Sequence, residues 1–315
     1  MRKIAFMFPG QGSQIVGMGK QLADADENIK SYFERADQRL GYSLSNLIFE
    51  GPQSDLTLTT NTQPALLTTS MAILSYFKRS GIEPDYVAGH SLGEYTALVA
   101  AKAISFEDAV YAVRKRGEFM EAAVPHGEGT MAAILGLDRE KLGVVTANVT
   151  DEGHSVQLAN LNCPGQIVIS GTKKGVELAG IQAKEAGAKR VLPLEVSGPF
   201  HSQLMKPAAE KLQAVLDDIT LQDAAVPVIA NVTAEEMIAA SEIKTRLIEQ
   251  LYSPVLWEDT VRKMLENGVD TFIEIGPGKV LSGLVKKIDR SATIFAISDE
   301  DSINKAIEGL KEASR

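Results

Sequence analysis

The sequence has one cysteine, Cys163, among its 315 residues, so it can form no intrachain disulfide. It also lacks any apolar run near the roughly 18 residues that a membrane-spanning helix needs. Its first residues, MRKIAFMFPGQG, contain too short an apolar stretch for a secretory signal. These absences are typical of proteins of the reducing cytoplasm, and we expect a cytoplasmic protein that does not bind membranes.

Positive charge is scarce as well. The chain has 32 lysine and arginine residues against 41 aspartate and glutamate residues, which gives a net charge of −9. No basic block is present to neutralise phosphates, which argues against broad nucleic-acid binding. An anionic substrate would therefore have to meet a local basic site. The hydrophobic content of 44% is ordinary for a globular enzyme.

The first part of the chain has the pattern of an α/β domain. Residues 3–8 predict a buried strand, and Gln63-Pro64 is expected to open a long apolar helix. Residues 85–89 predict the next strand, with helices over 92–102 and 106–124 after it.

The pattern changes between residues 127 and 197. There it becomes strand, helix, two strands, helix and strand, which is the ferredoxin-like order. Helix and strand alternation then resumes, with residues 227–232 and 271–276 expected as the remaining strands of the large sheet. We therefore expect a large domain with a parallel sheet (1–126 and 198–315), a small α+β subdomain (127–197) and a ligand cleft between them.

The glycine-rich loop GQGSQIVGMG, residues 10–19, does not have the spacing of a nucleotide site. A dinucleotide fingerprint would need glycine at position 15, where Ile15 stands, and a P-loop would need serine or threonine in place of Gln21. The loop is either a tight turn after the first strand or a source of backbone N–H donors for a site. In the second case Gln11 could supply one oxyanion donor.

Residues 89–93, GHSLG, form a G-x-S-x-G motif between the strand 85–89 and a helix. This context is typical of a nucleophile elbow, in which Ser91 would stand exposed on a sharp turn. The Leu92 N–H would then lie at a helix N-terminus, where a developing oxyanion is stabilised. The alternative is a tight turn with an incidental serine.

A serine nucleophile needs a base, and the chain has four histidines. His90 adjoins Ser91 and should point away from it, whereas His126 and His154 lie in polar loops and should be solvated. His201 follows the last strand of the small subdomain, where the chain returns to the cleft, and it is the expected base. A structural helix cap is its alternative role.

Two further side chains have competing interpretations. Cys163 could be a rival nucleophile, but no helix N-terminus follows it to lower its pKa, so a structural thiol is favoured. Arg116 lies near the edge of the apolar stripe of helix 106–124, and it is either a solvated residue or a guanidinium that grips a carboxylate.

Seven segments together resemble the malonyl-CoA:acyl-carrier-protein transacylases of bacterial fatty-acid synthesis, and the resemblance covers essentially the whole chain. These segments are FPGQGSQ, NTQPALL, GHSLGEYTAL, VRKRGEFM, NCPGQIVISG, SGPFHS and IEIGPGKVL. The resemblance implies a hydrolase-like large domain with a ferredoxin-like insertion. It also implies malonyl-CoA and acyl carrier protein as substrates, a malonyl-serine intermediate in a ping-pong reaction, and no metal or redox cofactor.

The resemblance also assigns roles to individual residues. Ser91 would be acylated, His201 would be the base, and Arg116 would hold the malonyl carboxylate. The backbone N–H groups of Gln11 and Leu92 would bind the oxyanion. Four residues would line or support the pocket: Gln63, Asn162, Phe200, whose position resembles malonyl-selective domains, and Gln250, whose carbonyl would orient His201.

Two other functions remain open at this point. The first is a serine thioesterase or esterase on a related fold, and the second is a non-catalytic module that binds carrier protein. Because the carrier protein of this family is acidic, docking is expected at local basic spots, for which Lys189-Arg190 and Lys286-Lys287 are candidates.

Overall fold

The computed structural model describes residues 2–125 and 127–312, so the predicted boundary residue His126 lies outside the described residues. The strands are β1 Lys3–Phe8, β2 Tyr86–Gly89, β3 Gly129–Leu135, β4 Val156–Cys163, β5 Gln166–Thr172, β6 Arg190–Pro193, β7 Val228–Ile229, β8 Glu236–Met237, β9 Val269–Ile275 and β10 Thr293–Ile297.

The α-helices of the described residues are α1 Lys20–Ala25, α2 Glu27–Leu40, α3 Leu44–Glu50, α4 Gln53–Thr57, α5 Thr59–Phe77, α6 Gly93–Ala100, α7 Phe106–Ala122, α8 Arg139–Asp151, α9 Lys173–Glu185, α10 Lys206–Asp217, α11 Ala240–Gln250, α12 Trp257–Glu266, α13 Val280–Ile288 and α14 Glu300–Glu312. In this part of the chain, no helix is long and apolar enough to cross a membrane.

Six strands form the large sheet, in the order β10-β9-β1-β2-β7-β8. All neighbours pair in parallel except β7 and β8. Strand β1 shows why the sheet is buried on both faces: Phe6 and Phe8 pack into one core cluster, whereas Ala5 and Met7 pack into a second. Alternate residues of a strand face opposite sides, so each face receives its own layer of helices.

The second sheet is antiparallel, in the order β4-β5-β3-β6, and α8 and α9 pack against it. This is the ferredoxin-like arrangement, and the predicted fold class of an α/β domain with a parallel sheet and a smaller α+β part is confirmed. All four strands lie within residues 129–193. We keep 127–197 as the proposed limits of the small subdomain.

The predicted start of the apolar helix was wrong. Helix α5 begins at Thr59, and Pro64 lies inside it. A proline within a helix leaves the carbonyl four residues earlier without its usual N–H donor. Here the Thr60 carbonyl accepts a hydrogen bond from Arg114 Nη1 at 3.1 Å, so α7 compensates for the missing donor.

The prediction of the remaining strands was incomplete. Strand β9 lies where it was expected, and the segment 227–232 contributes only the two residues of β7. Strand β10, which pairs with β9 at the edge of the sheet, was not predicted. Its sequence TIFAI is an apolar run of the length of a buried strand, and this was the signal that could have found it.

Candidate active site

Ser91 stands on a sharp turn between β2 and α6. Its φ of 53° lies in the left-handed region, which is rare for residues other than glycine and common where strain is held at functional sites. The flanking glycines permit this turn: a Cβ on Gly89 would lie 1.9 Å from the Gly93 oxygen, and one on Gly93 would lie 2.2 Å from the Phe8 oxygen. The motif therefore holds the Ser91 hydroxyl out at the carboxyl end of the parallel sheet.

His201 meets this hydroxyl. Its Nε2 lies 2.8 Å from Ser91 Oγ, and its Nδ1 lies 2.8 Å from the main-chain oxygen of Gln250. Since a carbonyl can only accept, Nδ1 carries the proton and Nε2 is left to accept the serine proton. The carbonyl fixes the tautomer and the ring orientation without an acidic residue.

The His201 imidazole is buried and uncharged. Burial, and then the Arg116 charge, lower the pKa of His201 to about 3. A group with so low a pKa is in its neutral, proton-accepting form at every physiological pH. Like Ser91, His201 has a positive φ, 57°, so the loop before α10 is also held in a strained conformation.

Arg116 is buried, with 1% of its surface exposed, which rules out the solvated alternative. Its Nη1 donates to Gln63 Oε1 at 2.7 Å, and its Nη2 donates to Ser91 Oγ at 3.0 Å and to Gln250 Oε1 at 2.9 Å. Among the described residues it has no carboxylate partner within salt-bridge distance. A buried guanidinium beside the Ser91 hydroxyl is suited to bind an anion there.

The pocket around these groups has a volume of about 140 Å³. Its apolar walls are formed by Met120, Met131, Leu194, Val196 and Phe200. The rest of the lining comes from the nucleophile turn and from polar residues: Gln11, Gln63, His90, Ser91, Leu92, Arg116, Asn160 and His201. The backbone N–H groups of Gln11 and Leu92 donate to no other group among the described residues. They are free to bind an oxyanion near Ser91.

A larger cavity of about 730 Å³ lies between α9 and the edge strand β6. It touches the Ser91 pocket through Met131 and Val196, but none of the Ser91, His201 and Arg116 side chains lines it. Its walls are mostly apolar, and they contain no nucleophile in contact with a general base. The smaller pocket is therefore the candidate active site.

Other predicted residues lie as follows. Asn162 does not line the pocket; its Oδ1 lies 2.9 Å from His90 Nε2 and so holds that ring away from Ser91.

The remaining two residues lie outside the pocket. The backbone N–H of His154 donates to the Val149 carbonyl near the end of α8. Cys163 is buried at the end of β4, and burial raises its pKa. A buried thiol with a raised pKa is a poor nucleophile, in agreement with the structural alternative.

Three residues of the site were missed by sequence reasoning. Asn231 accepts from the Ser91 N–H at 2.7 Å, and its Nδ2 donates to the Gly89 carbonyl. Glu94 lies fully buried behind the turn, and Asn160 lines the pocket. Glu94 stands among apolar residues in EYTALVA, and Asn231 ends the apolar segment PVIAN; a polar residue in such a place was the available signal.

Comparison with known proteins places these observations in a family. The model of the acyl transferase domain family matches residues 5–309. The malonyl CoA-acyl carrier protein transacylase of Bacillus subtilis (strain 168) is 65% identical over 312 residues, which cover 99% of this chain and 98% of that protein.

Solved structures agree with this similarity. An acyl carrier protein S-malonyltransferase from Vibrio cholerae superposes with a TM-score of 0.94 at 46% identity, covering 96% of this chain and 99% of that one. A malonyl-transacylase in complex with its type II PKS acyl-carrier protein gives a TM-score of 0.94 at 45% identity, covering 98% and 99%.

Proposed function

The chain belongs to the acyl transferase family as one of its malonyl-CoA:acyl-carrier-protein transacylases, and we propose that it transfers the malonyl group by a ping-pong mechanism through a malonyl ester of Ser91. The observation that carries this proposal is the contact of Ser91 Oγ with both His201 Nε2 and Arg116 Nη2. One oxygen thus faces a base and a fixed positive charge.

In the first half-reaction His201 Nε2 takes the Ser91 proton while Oγ attacks the thioester carbon. The N–H groups of Gln11 and Leu92 bind the oxyanion, a contribution of ~3 kcal/mol for a well-placed donor. The C–S bond then breaks, and the His201 imidazolium returns the proton to the coenzyme A thiolate. The phosphopantetheine thiol of the carrier protein reverses these steps, giving its proton to His201 and collecting the malonyl group.

The protein's part in this chemistry is proton transfer and charge placement. Thioester exchange is balanced by the serine, the histidine and the two thiols, so the proposed reaction uses no metal or redox cofactor. A cytoplasmic location belongs to the same proposal and is supported by the single, buried cysteine.

Intact-mass measurement tests this proposal. Mixed with malonyl-CoA alone, the protein should gain the mass of one malonyl group, and added carrier protein should remove it and become malonylated. Release of free malonate without carrier protein would instead indicate the thioesterase. Absence of any adduct at all would indicate the non-catalytic carrier-binding module.

The two basic pairs predicted for docking lie on one surface. Lys287 Nζ donates to Gln166 at 3.1 Å, and Gln166 and Arg190 both pair with Leu135 across the antiparallel sheet. Lys189, Arg190, Lys286 and Lys287 are all exposed, and we call them the basic patch. An acidic carrier protein would complement it.

Charge reversal of the basic patch should therefore weaken carrier binding. In the variant Arg190→Glu/Lys287→Glu we expect the KM for carrier protein to rise roughly tenfold, because reversing an exposed charge that pairs with the partner costs about 0.5–1 kcal/mol. The KM for malonyl-CoA should not change. Lys211→Glu on the exposed side of α10 is the control, and an unchanged carrier KM in the double variant would remove the basic patch from the interface.

A further inference from the structure

Glu94 is a fully buried carboxylate that the proposed mechanism does not use. It lies in the first turn of α6, three residues after Ser91. Its Oε2 accepts from Gln250 Nε2 at 2.6 Å and from the Asn231 N–H at 3.2 Å, whereas Oε1 has no partner among the described residues. Burying a half-satisfied carboxylate costs free energy, and such groups are concentrated at functional sites.

Gln250 connects this carboxylate to the reacting groups. An ionised carboxylate can only accept, so Glu94 draws the Gln250 amide nitrogen toward itself. The amide oxygen then faces the other way and accepts from Arg116 at 2.9 Å. Gln250 Nε2 also donates to the Ser91 carbonyl at 3.0 Å, and the main-chain oxygen of Gln250 accepts from His201.

The charge of Arg116 also points to Glu94 as its partner. Arg116 is a buried cation without a carboxylate in direct contact, and burial lowers its pKa, while the charge of Glu94 opposes this shift. The Arg116 charge in turn disfavours a proton on His201. A negative charge at Glu94 therefore balances the charge of Arg116, which donates to Ser91 Oγ.

We propose that Glu94 is a positioning residue that fixes the Gln250 amide between itself and Arg116 and supplies the negative charge that balances the Arg116 cation before the substrate carboxylate binds. This inference rests on the proposed function, because it assigns Glu94 a part in acylation of Ser91. Glu94 touches neither the substrate nor the reacting atoms and acts through Gln250 and Arg116.

The rate of Ser91 acylation should depend on pH through the charge of Glu94. Burial raises the pKa of Glu94 to about 7, against the opposing effects of Gln250, Asn231 and Arg116. The other charged or titratable groups in this network are Arg116 of α7, Tyr95 of α6, His201 of the loop before α10 and His90 beside Ser91. Arg116 stays charged, whereas Tyr95, with a raised pKa, and His90 and His201, with pKa values lowered by burial, stay neutral near pH 7. Glu94 is thus the network member that changes charge there.

The variant Glu94→Gln tests this assignment because it keeps the shape and one acceptor oxygen but removes the charge. The rate of Ser91 acylation by malonyl-CoA, followed by intact mass, should fall about tenfold at pH 8 without a rise in KM. The wild-type rate should fall as the pH drops through 7, while the variant should be flat, so that the two proteins converge near pH 5.5. Thr96→Val, a matched change of a buried polar residue on the same helix, should keep the wild-type profile.

Three outcomes separate the hypotheses. If the acylation rate of Glu94→Gln is lower than that of wild type by the same factor at every pH, the role of Glu94 is purely structural and the inference is overturned. A wild-type acylation rate in Glu94→Gln at pH 8 would overturn it too. If wild type forms no malonyl adduct, the proposed function itself fails. An adduct in both proteins at equal rates would remove only the role of Glu94.

Stability gives a second, independent readout. The folded-state pKa of Glu94, about 7, lies above its ordinary value of 4.5, so the folded protein favours the protonated form. The resulting stability is present below pH 4.5 and is lost as the pH rises through 7. Glu94→Gln should therefore melt at a higher temperature than wild type at pH 8 and at the same temperature near pH 4. A variant that melts lower than wild type at pH 8 would contradict a charged, buried Glu94.

Discussion

Replacing Ser91 with alanine is expected to lower acyl transfer on the order of 10⁶-fold and to abolish the malonyl adduct, because nucleophile and base act as a unit. The same reasoning predicts that Ser91→Ala, His201→Ala and the double variant share nearly the same residual rate. Once Oγ is absent, His201 Nε2 has no proton to accept, and once the imidazole is absent, Oγ stays protonated. Rapid-quench acylation assays with intact-mass detection measure these rates.

The fold should survive this change, which makes the result easy to interpret. Ser91 already has a φ of 53°, which is strained for any residue other than glycine. Alanine at this position adds no further backbone strain. We expect the melting temperature to stay within a few degrees of wild type. An adduct that persisted in Ser91→Ala and vanished in Cys163→Ala would contradict the assignment and restore the cysteine as nucleophile.

The parts of this site that could be predicted from sequence are those set by local geometry. The turn at Ser91 follows from two glycines, a strand and a helix that are contiguous in the chain, and the packing of Gly89 against Gly93 confirms how closely the backbone must fold there. The continuous apolar run of β1 likewise indicates a strand that is buried on both faces, with successive side chains entering opposite layers. Contacts of this kind are encoded within a few residues.

The parts that were missed depend on residues far apart in the chain. From the sequence, Glu94 is only one charged residue in a helix. Its functional contact is with Gln250, which lies 156 residues later in the chain. Pro64 looked like the start of α5 because the donor to the Thr60 carbonyl comes from α7, 54 residues from Thr60. Periodicity cannot report such pairs, since each partner has an ordinary local sequence.

Arg116→Ala is the second change with a large expected effect, and it concerns which acyl group is accepted. Removing one partner of a buried charge pair costs about 2–5 kcal/mol, so malonyl transfer should fall about 10³-fold in kcat/KM. Transfer of an uncharged acetyl group should fall far less, by about tenfold at most, because acetyl has no carboxylate for Arg116 to hold and, of the three hydrogen bonds lost, only the one to Ser91 Oγ reaches the reacting atom. The ratio of malonyl to acetyl transfer is therefore the quantity to measure.

Arg114→Ala is a matched control on the same helix. Arg114 also makes several hydrogen bonds, but its partners are Tyr42, the Thr60 carbonyl, Asn61 and Glu118 rather than pocket residues. Its removal should lower stability, because the Thr60 carbonyl freed by Pro64 would have no donor, while the malonyl to acetyl ratio stays as in wild type. This pair of variants separates damage to α7 from damage to the carboxylate site.

Arg116→Lys refines the same prediction. Lysine keeps the positive charge but has no planar fork, so it cannot hold Gln63, Gln250 and a substrate carboxylate at once. We expect a malonyl to acetyl ratio between those of wild type and Arg116→Ala. A ratio unchanged in both variants would mean that the malonyl carboxylate is held elsewhere, and the buried guanidinium would then serve only to polarise Ser91 Oγ.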